Sequence, residues 1–185
     1  MISPVQRWSV ALIALLWVAQ ATASGAIVPT PPAGVLPEMQ SRARQLRSAT
    51  LVSEVVSHAA LRRVLEHGGY VAGSEREFYG RAPVFNHVTE RVLRFRGGAG
   101  AATYLRWLRA HAPESLGAPR SVTAFELGAE GFVYRPRGCG CHSDTPTYLV
   151  AWQRGPLVLS VLASGNGATA GTVGGLARRL DRAAP

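Results

Sequence analysis

Cys139-Gly140-Cys141-His142 is the most chemically loaded stretch of the sequence. A disulfide between Cys139 and Cys141 would close a very small ring, strained and easily reduced, which suits thiol exchange. Both thiolates and the His142 imidazole could instead bind a soft metal, copper(I) or zinc. A structural zinc site needs a fourth ligand, and Asp144, His87 and His111 are the residues that could supply it. Arg135 and Arg137 nearby favour thiolate over thiol, which helps both of these readings. The spacing falls one residue short of the Cys-x-x-Cys-His motif of c-type haem attachment. The plainest reading is a surface loop, flanked by Gly138, Gly140 and Pro146 and pinned by a local disulfide of Cys139 with Cys141, with free or intermolecularly paired thiols as the remaining alternative.

Nothing else in the chain forms a catalytic constellation, so the expectation is a protein that is not an enzyme. His87 and Glu90 resemble an acid/base pair, but residues three apart on a strand point to opposite faces. No Gly-x-Ser-x-Gly elbow occurs. His58, His67 and His111 fall near predicted helix ends, where histidine is common. The glycines at 97, 98 and 100 open a predicted helix, a place where backbone N–H groups attract anions. They match neither the dinucleotide nor the P-loop spacing and read as a turn. Tyr104, Trp107 and Trp152 could line an apolar ligand pocket between helix and sheet. The competing reading is that all three are core.

The compartment follows from the first residues. Arg7, an apolar run over 10–19 and the small residues Ala21-Thr22-Ala23 form a secretory signal peptide over 1–23. The run is short for a membrane span, although an uncleaved anchor is the alternative. No cysteine follows it, which excludes a lipoprotein-type attachment. The protein is therefore expected outside the cytoplasm, where its cysteines meet oxidising conditions. Residues 24–37 are a proline-rich spacer, and 38–185 make a single domain with enough chain for a real core.

At 47% hydrophobic and 17% charged, the composition is globular. All 20 basic residues are arginine and the formal net charge is +9. An acidic partner would suit that charge. The arginines are dispersed, however, without interleaved aromatics, so nucleic acid is not the expected partner. They read as solvated faces.

Residues 147–165 anchor the fold. Two β-branched, aromatic-rich runs flank Arg154-Gly155-Pro156, a hairpin pattern. Tyr148, Val150 and Trp152 share one face of the first strand, and Leu157, Leu159, Val161 and Ala163 one face of the second. Val158 and Leu162 interrupt the other, polar side. Such a hairpin is not stable alone, so the rest of the chain must cover it.

Residues 38–47 read as a short polar helix, and 51–56 as a helix start or a small strand. A helix over 57–67 has Ser57 as N-cap, Leu61, Val64 and Leu65 on one face, and Gly68-Gly69 as its stop. The stretches 70–79 and 85–96 form a long hairpin, with Leu93 and Phe95 on one face and Val88 and Val92 on the other. A helix follows with Ala101, Tyr104, Leu105 and Leu108 as its apolar stripe, and Pro113 ends it. Short strands at 122–127 and 132–135 precede the central hairpin. A last helix from about 168 buries Val173, Leu176, Ala177 and Leu180. The expected class is α+β: a mainly antiparallel sheet of about six strands with helices packed on it as a small sandwich.

Gly69-Tyr70 followed by Glu75-Arg76-Glu77-Phe78, then Val92-Leu93-Arg94-Phe95 before a Gly/Ala-rich helix, resembles a broad set of secreted, uncharacterised actinobacterial proteins. Trp152-Gln153-Arg154-Gly155-Pro156-Leu157-Val158 before a closing helix extends the likeness, from about residue 55 onward. Their layout is similar to PsbP-like and mycobacterial envelope-lipoprotein domains. The resemblance implies a non-enzymatic binding or assembly module and transfers no catalytic residue. The leading expectation is thus a secreted accessory domain at the cell envelope, without a cofactor. Its partner would be an envelope protein, a lipid or a small apolar ligand. Contact with the membrane would come only through an uncleaved N-terminus or a basic surface. The alternative is a copper or zinc protein, or a thiol-redox protein, using Cys139, Cys141 and His142.

Overall fold

The computed structural model describes residues 27–33, 36–80, 82–137 and 145–184. The leader over 1–23 lies outside the described residues. The hairpin of β6 (Thr147–Arg154) and β7 (Leu157–Ser164) forms as expected. Gly155 takes φ 55° at the first central position of its two-residue turn. Glycine reaches that conformation without strain, and it is the one a type II′ turn needs there.

Around this hairpin the described residues build one antiparallel sheet of seven strands, in the order β1-β2-β3-β7-β6-β5-β4. The others are β1 (Gln40–Leu46), β2 (Tyr70–Tyr79), β3 (His87–Phe95), β4 (Pro119–Ala124) and β5 (Glu130–Pro136). The class is α+β, and β7 occupies the middle of the sheet. Among the described residues four helices cover it: α1 (Ser48–Ser53), α2 (His58–His67), α3 (Gly98–Leu116) and α4 (Ala170–Ala183).

Both faces of the sheet are buried. On one, Tyr148, Val150, Trp152, Leu159 and Val161 meet Val88 and Val92, under Val173, Leu176, Ala177 and Leu180 of α4. On the other, Leu93, Phe95, Leu149, Ala151 and Val158 pack beneath α1, α2 and α3. Val158 and Leu162 therefore do not interrupt a polar side; they belong to this second core. A strand covered on both faces loses clean apolar–polar alternation.

Residues 40–46 are a strand and not the expected helix. Their burial pattern is exposed along most of its length, as suits an edge. What fixes them is β2, where Arg44 stands opposite Glu75 and Arg42 opposite Glu77. Opposite charges across a ladder stabilise the pair, and arginines on an edge also discourage pairing with a second molecule. The proline-rich stretch expected as a spacer also packs against the sheet. Val28 and Leu36 are buried, Ser74 Oγ donates to the Pro29 carbonyl at 2.7 Å, and Arg76 Nε donates to that of Pro31.

Pro113 does not end α3. The helix continues to Leu116, and the Gly117 N–H bonds the Pro113 carbonyl at 3.0 Å. Proline lacks only its own N–H and here gives up one bond in the last turns. Ser57 stands at the N-cap of α2, yet its hydroxyl donates to Glu114 Oε2 at 2.6 Å and so ties α2 to α3. The glycines that open the predicted helix stand at its start, Gly97 as N-cap and Gly98 and Gly100 in the first turn of α3. A Cβ on Gly100 would lie 1.9 Å from the Gly68 carbonyl oxygen, so glycine is what lets the two helices touch. Gly100→Ala should destabilise the fold by about 2 kcal/mol through this overpacking. A lowered urea midpoint with unchanged m-value would show it.

Candidate functional site

A cavity of about 330 Å³ lies between α3 and the sheet, at the low end of the range for small-molecule sites. Leu51, Val55 and Leu61 close one side, Leu108, Ala112 and Leu116 the other, and Leu149 and Leu162 form part of the floor. Tyr104, Trp107 and His111 of α3 also line it. These three continue an aromatic series that begins on the sheet. Tyr70 meets Phe95 at 5.7 Å between ring centroids, Phe95 meets Tyr104 at 5.5 Å, and Tyr104 meets Trp107 at 6.0 Å. The Trp107 and His111 rings stack at 4.5 Å and 15°. The helical spacing of Tyr104, Trp107 and His111 makes this wall, since residues three and four apart are neighbours on one helix face.

The polar end of the cavity is a ring of charge. Arg44 bonds Glu54 at 2.7 Å and Glu75 at 2.8 Å. Arg91 bonds Glu54 at 2.6 Å and also bonds Glu75 through Nε. Two cations and two anions thus alternate, and Arg91 and Glu54 reach the cavity lining. Burial opposes ionisation of Glu75, but the Arg91 and Arg44 guanidiniums outweigh it and hold the carboxyl below its usual range. Burial also pushes the Tyr104 hydroxyl up to about 12, with Arg91 pulling the other way. Tyr104 is therefore a neutral hydrogen-bond donor at any physiological pH.

Two donors here are unspent. The buried Trp107 Nε1 has no acceptor, and the Tyr104 hydroxyl bonds no group among the described residues. A buried polar atom without a partner, as at Trp107, is uncommon in folded proteins.

The structure separates the three aromatics predicted to share a pocket. Tyr104 and Trp107 line the cavity, but Trp152 lies on the opposite face of the sheet. There its Nε1 donates to Asp181 Oδ1 at 2.9 Å and its ring meets Phe125 edge-on. Trp152 is a core and anchoring residue, because its strand position points it toward α4. Cys139, Cys141, His142 and Asp144 lie outside the described residues. Of the other ligands considered for them, His87 bonds Glu77 at 2.7 Å. His111 bonds the Trp107 carbonyl through Nδ1 at 2.9 Å. Among the described residues, no group of three or more His, Cys, Asp or Glu is arranged to hold a metal ion. None of these residues includes a helix long and apolar enough to cross a membrane.

No family model matches the chain, and no curated protein does. Among solved structures, the extracellular domain of PknH from Mycobacterium tuberculosis is similar. The identity is 13%, the match covers 78% of this chain and 84% of that one, and the TM-score is 0.44. The cavity is therefore read from its own residues.

Sequence reasoning missed the ring of Arg44, Glu54, Glu75 and Arg91. Its members lie on four separate elements or junctions, which only the strand order brings together. One signal was present: Glu75 occupies a strand position flanked by residues of a buried sheet, and a carboxylate there needs a cation.

A second, more open depression of about 800 Å³ lies beside Ile27, Gln45, His58, Arg62 and Tyr70. Neither unspent donor lines it, and we assign it no role.

Proposed function

We propose that the protein is an exported, non-enzymatic binding domain that holds a small molecule in the cavity between α3 and the sheet. The observation that carries this reading is the cavity itself. It is walled by aromatic and aliphatic side chains and retains hydrogen-bonding groups that the fold does not use. Structural aromatics normally fill such space, and Trp or Tyr polar atoms in a core normally find partners. Export is supported by Arg7, the apolar run over 10–19 and Ala21-Thr22-Ala23. An accessory role at the cell envelope fits this, with the small molecule as the ligand and no chemistry performed on it.

The test is a fluorescence titration with N-phenyl-1-naphthylamine, a neutral apolar dye that brightens on leaving water. Saturable binding of one dye per chain is expected. Leu108→Trp, at the half-buried edge of the cavity, should weaken it by about tenfold while the thermal midpoint stays within a few degrees. That loss corresponds to about 1.4 kcal/mol. Equal binding by the variant would place the dye elsewhere and refute the cavity.

A further inference from the structure

The polar groups of this cavity define the chemistry of its occupant. Trp107 Nε1 is a donor only, and a neutral tyrosine hydroxyl beside a guanidinium is best used as a donor toward a ligand. Trp107 and Tyr104 are 8% and 4% exposed. Neither donor is paired among the described residues. Trp107 Nε1 is enclosed without a partner, whereas the Tyr104 hydroxyl, equally unpaired, is not one of the enclosed atoms, so an acceptor oxygen in the cavity can take its hydrogen bond in place of water.

Charge narrows the class further. The ring of Arg44, Arg91, Glu54 and Glu75 is formally neutral. Arg91 commits Nε to Glu75 and Nη2 to Glu54. A ligand carboxylate placed there would sit beside two carboxylates already present. A ligand cation would face Arg91. Either would lose its hydration without a free counter-charge, and burying such a charge is costly. An uncharged ligand meets no such barrier. The remaining lining is apolar and partly aromatic, which favours a flat hydrocarbon body.

Building on the binding role proposed above, we infer that the cavity takes an uncharged, largely apolar molecule carrying an acceptor oxygen, a carbonyl or ether, that accepts from the Tyr104 hydroxyl. Trp107 Nε1 is the second donor in the same wall. Ser160, which also lines the cavity, stands opposite Arg91 in the β3–β7 ladder.

Three probes of similar size test this on the full chain by calorimetry: benzophenone, diphenylmethane and 4-benzoylbenzoate. The first two differ by the acceptor oxygen, and the third adds a carboxylate. Benzophenone should bind about tenfold more tightly than diphenylmethane, the value of one well-placed hydrogen bond. Tyr104→Phe, which removes only the hydroxyl, should reduce that preference to less than threefold and leave diphenylmethane binding unchanged. A merely structural Tyr104 would alter both affinities together. 4-Benzoylbenzoate should bind at least tenfold more weakly than benzophenone. If benzophenone and diphenylmethane bind equally, or the carboxylate binds best, the inferred ligand class is wrong while the binding cavity stands. If none of the three binds and N-phenyl-1-naphthylamine does not either, the binding role itself fails.

Discussion

Glu90→Leu should make the protein more stable at pH 8, by about 3 kcal/mol, and should flatten its stability between pH 4.5 and 7. Glu90 is 0% exposed on β3, and neither carboxylate oxygen has a hydrogen-bond partner. It points into the core under α4, among Val88 and Val92 of its own strand face. Burial pushes its pKa from 4.5 to about 7, although Arg179 and Arg76 pull it back. The folded state therefore holds a proton that the unfolded chain has released. Stability from this group is fully present below pH 4.5 and is lost as pH rises through about 7. Each pKa unit is worth about 1.4 kcal/mol, which gives the figure of about 3. Leucine restores an apolar core without a charge to bury. Urea denaturation of both proteins at pH 5 and pH 8 measures it. A wild-type stability that rises over that interval, or a variant less stable than wild type at pH 8, would contradict this description of Glu90.

Glu75→Ala should act in the opposite direction, lowering stability by about 3 kcal/mol at pH 7. The Glu75 side chain is 4% exposed and closes half of each arginine's ion pairing. Its loss leaves Arg91 and Arg44 to share Glu54, and removing one partner from a buried pair typically costs 3–5 kcal/mol. The exposed Arg44 pair with Glu54 keeps the estimate near the bottom of that range. The sign with pH follows from the lowered carboxyl: the contribution is present above the usual carboxylate pKa and is lost as pH falls through the lower folded value. Glu75→Ala and wild type should thus converge in stability toward acid pH. The variant also frees Arg91 Nε beside the cavity, so its preference against 4-benzoylbenzoate should shrink. A variant as stable as wild type at pH 7 would mean that the ring adds nothing to the fold.

The two carboxylates show what the sequence could and could not reveal. Glu75 and Glu90 sit in similar strands, but they differ by an odd number of positions along the β2–β3 hairpin register and face opposite layers. Local pattern was enough for the two hairpins, for the split of Leu93 and Phe95 from Val88 and Val92, and for the buried stripe of α4. Those features rest on strand alternation and helical spacing, both local. Residues 40–46 are different. They carry no periodic apolar signal, and their strand exists because β2, some thirty residues later, offers Glu75 and Glu77. The same non-locality hid the charged ring.

Half of the cavity was legible. Tyr104 and Trp107 follow from one helix, whereas placing Trp152 required knowing which side of the sheet α3 covers. Pro113 misled for another reason. It was read by intrinsic preference as a helix end, but α3 runs on to Leu116. At Gly100 the close approach of Gly68 is what the residue serves.

The most direct test of cavity binding is a pair of indole N–H signals. In a nitrogen–proton correlation spectrum, Trp107→Phe and Trp152→Phe assign the two resonances on either side of the sheet. Titration with N-phenyl-1-naphthylamine should then move the Trp107 signal to saturation while the Trp152 signal, bonded to Asp181, stays in place. A Trp107 signal that stays fixed at saturating dye, or movement at Trp152 instead, would contradict binding between α3 and the sheet.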